Sequence, residues 1–140
     1  MPVPDRDELR RTAEEFARNV EQRSGHALTV DLPSLAVLDA FLSEWLDMAS
    51  VYDAIDDRLV ESLAFPLLCF VGECMVSGGR TSWHVDQSAG STLPVLAVPS
   101  GKLLDLEGPV TAVLRRQVPP FFHRLALDLE RPDPLGNAPS

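Results

Sequence analysis

One segment of this chain is far more apolar than the rest, and a single carboxyl group interrupts it. Residues 63–76 read Leu-Ala-Phe-Pro-Leu-Leu-Cys-Phe-Val-Gly-Glu-Cys-Met-Val, and the acidic residue is Glu73. A carboxylate in a hydrophobic interior costs free energy unless it is hydrogen-bonded, ion-paired or protonated. The segment therefore predicts a core element that has to supply a partner for Glu73.

Three interpretations of Glu73 follow from its neighbours in the chain. The carboxylate could accept hydrogen bonds near the turn at Gly78-Gly79, or it could pair with Arg80. It could instead act as a general base together with His84, which lies on a predicted strand a few residues later. We favour the two structural interpretations because no catalytic signature surrounds the residue.

Ser82, His84 and Asp86 do not form a catalytic triad among themselves. Alternate side chains on one strand are about 6.5–7 Å apart, whereas a nucleophile and its base must approach to about 2.6–3.2 Å. A small hydrolase or lyase that uses Glu73 with His84 is therefore the enzymatic alternative.

The chain is long enough for one domain and shows no segment that predicts membrane insertion. At 140 residues it can bury a substantial core. Pro66, Gly72 and Glu73 interrupt the apolar segment, so it falls short of the roughly 18 apolar residues that span a bilayer. The N-terminus is charged and contains no apolar stretch typical of a secretory signal. We therefore expect a cytoplasmic protein.

The cysteines and histidines predict neither a disulfide nor a metal site. Cys69 and Cys74 point to different faces of one predicted helix, so we expect buried free thiols. His26, His84 and His123 lack the spacing of metal ligands. No glycine-rich loop precedes a helix in a form that cradles phosphate. The sequence therefore predicts no metal and no cofactor.

The net charge of −9 is concentrated in the N-terminal half of the chain. Residues 1–61 carry 14 acidic and 6 basic side chains, whereas residues 62–140 carry 7 and 6. Nucleic acid is a poor candidate partner because phosphate contacts need clustered Lys and Arg. An acidic surface instead favours a basic protein partner, since opposite potentials steer association.

The acidic side chains are densest around residues 44–61. Asp53, Asp57 and Glu61 are spaced at i, i+4 and i+8, and like charges at that spacing weaken an isolated helix. A solvated acidic loop or helix end is the simpler interpretation, and a partner-binding surface is the functional one. The predicted partner-binding residues are Glu44, Asp47, Tyr52, Asp53, Asp56, Asp57 and Glu61.

Apolar periodicity predicts three N-terminal helices. Apolar residues recur at spacings of three and four, and proline or glycine marks several of the ends. The predicted spans are 5–22, 31–50 and 59–76, and Pro66 either kinks the third helix or restarts it. The aromatic residues fall mostly on the apolar faces, so we expect them in the core. They are Phe16, Phe41, Trp45, Phe65, Phe70, Trp83, Phe121 and Phe122.

The second half of the chain changes to period-two alternation and then returns to helix. Alternating polar and apolar residues over 81–86 are typical of a half-buried strand. Further strands are predicted over 92–98 and 102–106, and Pro94 favours an edge position or a bulge for the first of these. Two short helices are predicted over 108–118 and from 119 to about 130.

Helices followed by strands and then by helices predict an α+β fold. The expected architecture has N-terminal helices, a three-stranded antiparallel meander and two short C-terminal helices. We expect one globular domain over residues 1–132 and a mobile C-terminal tail over 133–140.

Three motifs together resemble a small bacterial α+β domain of unknown function. Asp31-Leu-Pro-Ser-Leu-Ala-Val-Leu-Asp39 resembles its helix start, D-x-x-S-L-x-x-L-D. Val71-Gly-Glu73 resembles its apolar helix ending in Gly-Glu, with Phe70-Val71 where that group tends to have Tyr-Leu. Gly78-Gly79 followed by Trp83 resembles its strand entry.

The resemblance covers about residues 25–110 and implies an α+β fold in a bacterial protein. It attaches no activity to any residue. The positions that it singles out are Asp31, Ser34, Asp39, Glu73 and Trp83.

The leading functional hypothesis is a non-enzymatic cytoplasmic protein that binds a protein partner through its acidic surface. An adaptor, a chaperone-like protein or a toxin-neutralising immunity protein would work in this way. The hydrolase or lyase is one alternative. The other is a homo-oligomer, such as a homodimer, joined through the strand predicted over 92–98, whose apolar side chains are Leu93, Val95, Leu96 and Val98.

Overall fold

The structure, a computed structural model, describes residues 6–51, 56–79, 81–84, 95–98 and 102–130. The described elements form one α+β arrangement, which confirms the predicted fold class. In chain order they are α1 Arg6–Ser24, α2 Ser34–Val51, α3 Asp57–Val76, β1 Ser82–His84, β2 Val95–Ala97, β3 Leu103–Leu104, α4 Glu107–Leu114 and α5 Phe122–Glu130. The predicted C-terminal tail lies outside the described residues, and the predicted domain bounds stay a prediction.

Helix α3 lies at the centre of the fold and continues through Pro66 without a break. Residues 67–75 are all buried, and α1, α4 and β1 pack against this helix. Asp56 begins it as the N-cap, accepting a hydrogen bond from the Leu59 backbone N–H at 2.9 Å. The apolar segment is therefore part of one continuous core helix, and Pro66 does not restart it.

Helix α3 is also long and apolar enough to cross a membrane, by length and composition alone. It has 20 residues, and the mean hydropathy of its most apolar window is 1.8. The expectation that Pro66, Gly72 and Glu73 keep the segment below this threshold is therefore wrong. Since 56% of that window is buried inside the fold, the helix is equally typical of a protein core. The cytoplasmic location stays a prediction.

The first helix packs on α3 through a stripe of buried side chains. Leu9, Ala13, Ala17 and Val20 recur at spacings of four, four and three, which places them on one face. Phe16, expected in the same stripe, is only partly buried at the side of it. The small alanines leave room for close approach of the two helices, so α1 is fixed on α3 along much of its length.

The three strands form an antiparallel meander in the order β1-β2-β3, as predicted. Trp83 pairs with Leu96, and Leu96 pairs in turn with Leu104. Strand β2 is therefore central: residues 95–97 pair with β1, and Leu96 and Ala97 also pair with β3. The predicted edge position of the strand over 92–98 is therefore wrong for its described part, and the homo-oligomer stays a prediction.

Two aspartates of the resemblance motif hold helix ends. Asp31 accepts hydrogen bonds from the Thr29 hydroxyl at 2.6 Å and from the Ser34 backbone N–H at 3.0 Å. The Thr29 hydroxyl in particular holds the pKa of Asp31 below its ordinary value of 3.8. These contacts satisfy an otherwise unpaired N–H at the start of α2.

Asp39, on α2, caps the beginning of α5, which lies far away in the sequence. Its two carboxylate oxygens accept hydrogen bonds from the backbone N–H groups of Phe122 and His123, each at 3.0 Å. Burial raises the pKa of Asp39, and these hydrogen bonds oppose that rise. The carboxylate therefore ties α2 to the beginning of α5.

Candidate functional site

The buried Glu73 carboxylate is held by partners that come from two other elements. Its Oε2 accepts a hydrogen bond from the Trp83 indole Nε1–H at 2.5 Å. Its Oε1 lies 3.8 Å from Nη1 of Arg10, whose side chain is half exposed. The Glu73 side chain is 4% exposed, and the indole N–H and the α1 guanidinium offset part of the cost of burying it.

Trp83 reaches Glu73 by lying directly over Gly72. A Cβ atom at position 72 would overlap Cη2 and Cζ2 of the Trp83 ring and would lie 3.1 Å from Cζ3. Only glycine leaves space for the indole at this position. Gly72 and Glu73 on α3 and Trp83 on β1 therefore hold these two elements together.

The structure does not bring His84 to Glu73. Neighbouring side chains on a strand point to opposite faces, so His84 points away from the face on which Trp83 contacts Glu73. His84 is exposed, whereas Trp83 is partly buried. Arg80 lies outside the described residues. Trp83 and Arg10 were missed as partners, although the predicted period-two alternation already placed Trp83 on the buried face.

A cleft separates α1 from α2, and α3 forms its floor. Its volume is about 540 Å³. We call it the α1–α2 groove. The side chains that form it are Thr12, Glu15, Phe16, Asn19, Val20, Arg23 and Ser24 on α1, His26, Phe41, Leu42, Glu44, Trp45 and Met48 leading into and along α2, Ser62, Leu63, Pro66 and Leu67 on α3, and Leu114 on α4.

Aromatic and flexible apolar side chains form the α2 wall of the groove. Phe41 and Trp45 stack with their ring centroids 6.5 Å apart and their planes at 15°. Met48, one turn further along the helix, is 60% exposed. Phe41 and Trp45 are partly buried and pack against the core, so the expectation that they lie in it is met only in part. A solvent-open apolar wall of this kind is typical of a binding surface.

The rim of the groove carries both signs of charge. Glu15 lies on the α1 side, and Glu44, whose side chain is 75% exposed, lies on the α2 side. His26 places its Nε2 3.8 Å from a Glu44 oxygen and its ring edge against Phe41. Arg23 stands in the last turn of α1. The polar groups therefore surround an apolar interior, as in most ligand sites.

The predicted acidic surface is partly neutralised by arginines from the end of α4. Asp57 contacts Arg115 at 2.6 Å, and Asp47 contacts Arg116 at 3.0 Å. Arg58 is the one basic residue next to these carboxylates in the sequence. Arg115 and Arg116 lie more than 50 residues away from the aspartates that they contact, so the sequence alone did not predict these ion pairs. Glu44 and Glu61 are exposed, Asp56 caps α3, and Tyr52 and Asp53 lie outside the described residues.

Within the described parts of the chain, no three His, Cys, Asp or Glu side chains lie close enough together to hold a metal ion. Cys69 and Cys74 are free and buried, which confirms that prediction. Burial raises the pKa of each thiol to about 12, so both are unreactive small apolar side chains.

No protein-family model, no curated protein and no solved structure matches this chain. The resemblance to a bacterial domain of unknown function therefore stays a prediction. The structure nonetheless gives each of its five positions a contact. Asp31 and Ser34 begin α2, Asp39 caps α5, and Glu73 bonds to Trp83.

Proposed function

We propose that this protein is a non-enzymatic binding protein that takes a segment of another protein into the α1–α2 groove. The observation that carries the proposal is the groove itself, about 540 Å³ of open space with an apolar interior and a charged rim. Exposed apolar surface is costly for a protein that works alone, so a partner that covers it supplies a physical reason for its presence.

The length of the groove favours a protein segment over a compact small molecule. Its α1 wall runs from Thr12 to Ser24, which corresponds to about 18 Å at the rise of an α-helix. Its α2 wall, from Phe41 to Met48, extends the apolar surface on the opposite side. An elongated, open channel of this kind suits a chain segment of several residues.

The position of Glu73 supports binding over catalysis. The enzymatic alternative depends on this carboxylate, and its partners are an indole N–H and a guanidinium that hold it in the core. Glu73 is not among the side chains that line the groove. The groups that do line it are suited to recognition of an apolar segment with polar flanks.

The proposal is tested by filling the groove and measuring capture of proteins from a lysate of the source cells. Asn19→Trp places an indole in the mouth of the groove, since Asn19 is exposed and lines it. Gln22→Trp is the matched control, because Gln22 is an exposed amide on the same helix outside the lining. We expect the unmodified protein and Gln22→Trp to retain the same partner, and Asn19→Trp to lose it.

Two results would overturn the proposal. One is capture of the same proteins by Asn19→Trp and Gln22→Trp with equal yield. The other is no specific capture by the unmodified protein at low salt. Circular dichroism and thermal unfolding of both variants show that each is folded before capture is compared.

A further inference from the structure

We infer that the occupant of the α1–α2 groove is an amphipathic helix whose polar flank is basic. This inference rests on the proposed function and adds the secondary structure and the charge of the partner segment. It follows from the arrangement of helices around the groove, from the aromatic and methionine side chains of its α2 wall and from the charges of its rim.

The groove lies between helices, where a further helix could pack. Helices α1 and α2 form its walls and α3 forms its floor, so a fourth helix laid between them would contact all three. Helices pack at about 8–10 Å between axes with side chains in the grooves of their neighbours. A helix in the α1–α2 groove would complete a four-helix arrangement and bury the apolar interior.

Helix α2 turns one mainly apolar face toward the groove. It contributes Leu42 and Glu44 together with Phe41, Trp45 and Met48, and the last three recur at intervals of four and three. These side chains offer a flat aromatic pair and one unbranched, adaptable side chain beside it. Aromatic residues and methionine are typical anchors of helix-in-groove interfaces.

The charge of the groove favours a basic flank on the partner helix. Glu44 is the one charged side chain that α2 contributes to the groove lining in the described structure, and residues 24–57 contain no Lys or Arg. Glu44 is exposed on that rim, and Glu15 is exposed on the other. Lys or Arg side chains along both edges of a bound helix would meet these two carboxylates.

Arg23 is the one permanent cation among the side chains that line the groove in the described structure, and it occupies the last turn of α1. Glu15 lies eight residues earlier on the same helix, about 12 Å away along the axis. Among the α1 side chains that line the groove, the negative charge therefore lies in the middle of the helix and the positive charge at its C-terminal end. This polarity favours a partner helix whose basic residues lie beside Glu15 and whose end near Arg23 is not basic.

Three designed peptides, which differ only in charge or in the spacing of their leucines, test the inference. The first is a Leu/Lys peptide of about 15 residues with leucines on one helical face. The second is its Leu/Glu counterpart, and the third has the Leu/Lys composition in strict alternation, which destroys the helical stripe. Fluorescence anisotropy of each labelled peptide at about 150 mM salt keeps long-range attraction screened.

We expect the striped Leu/Lys peptide to bind at least about tenfold more tightly than either of the others. A Glu15→Lys/Glu44→Lys variant should weaken this binding at least about tenfold, because both rim carboxylates become cations. The matched control is Glu21→Lys/Asp128→Lys, which changes the net charge equally at two exposed positions outside the groove. The control should change the affinity less than about threefold.

Each contrary result has a defined meaning. If the Leu/Glu peptide binds as tightly as the striped Leu/Lys peptide, the basic flank is wrong. If the alternating peptide binds equally, the helical occupant is wrong. If both double variants weaken binding to the same extent, the attraction is diffuse and the groove is not the site. In each case a partner that the unmodified protein captures and Asn19→Trp loses would leave the proposed function standing, whereas absence of any such partner would remove both.

Discussion

Gly72 and Trp83 show how one missing side chain positions another. The indole occupies the space that a Cβ of residue 72 would need, and from there its N–H reaches Glu73. The close approach and the hydrogen bond therefore depend on each other. A change at either residue should disturb the carboxylate that both of them enclose.

Gly72→Ala should destabilise the protein by about 1–3 kcal/mol, because the new methyl group forces the indole out of its position. The matched control is Gly108→Ala, since a Cβ there meets nothing within 4 Å. That variant should be neutral or up to about 1 kcal/mol more stable. Urea unfolding of the three proteins measures both differences, and equal stabilities for the two variants would contradict the packing described.

A second substitution separates the clash from a general effect of alanine at this position. Trp83→Phe alone should cost about 1–3 kcal/mol, because Glu73 loses its indole donor. Phenylalanine lacks the indole ring atoms that the new methyl group of Gly72→Ala would overlap. The losses of stability from Gly72→Ala and Trp83→Phe should therefore not add in the double variant. Additive losses would show that the methyl group added by Gly72→Ala acts through something other than the ring.

Helix beginnings are where the sequence predicted the most, since their signals are local. The predicted spans of α1 and α2 lie within three residues of those observed, because proline, acidic residues and the apolar stripe coincide there. The end of α4 was predicted at 118 and occurs at Leu114. Arg116, just after the helix, adopts a left-handed φ of 59°. Arginine rarely adopts this conformation, so the sequence did not predict it.

The start of α2 makes a prediction about pH. The pKa of Asp31 lies below 3.8 in the folded protein, mainly because of the Thr29 hydroxyl, so its ionised form stabilises the fold. That stability is fully present above the unfolded value and is lost as the pH falls through the lower folded value. Asp31→Asn should therefore lose less stability than the unmodified protein between about pH 6 and pH 2.5.

Unfolding in urea at several pH values measures this difference. Asp128→Asn, a substitution at an exposed aspartate on α5, is the control for removing one negative charge. If the Asp31→Asn and Asp128→Asn proteins lose stability equally as the pH falls, Asp31 does not contribute through its hydrogen bonds.

Contacts between distant elements explain what the sequence could not predict. Asp39 caps α5 from 83 residues away, and Arg115 reaches Asp57 from a separate helix, so neither contact leaves a local pattern. The α1–α2 groove is hidden for a related reason. The stripe that contains Phe41 and Trp45 has the periodicity of a core face, and only the separation of α2 from α1 leaves it open.

The described fold as a whole has a closely packed part and a part that is open to solvent. The sheet, α3 and α1 are joined through Glu73, Trp83 and Gly72, while α2 faces α1 across the groove. The net charge of −9 would increase the encounter rate with the basic partner that we propose, most strongly at low salt.

Backbone amide chemical shifts, recorded while the striped Leu/Lys peptide is titrated into isotopically labelled protein, test the groove most directly. The largest changes should fall on residues 12–24, 41–48 and 62–67, because these segments line it. Shifts that are largest on β1–β3 and α5, or that spread evenly over the acidic surface, would contradict the assignment of the α1–α2 groove as the binding site.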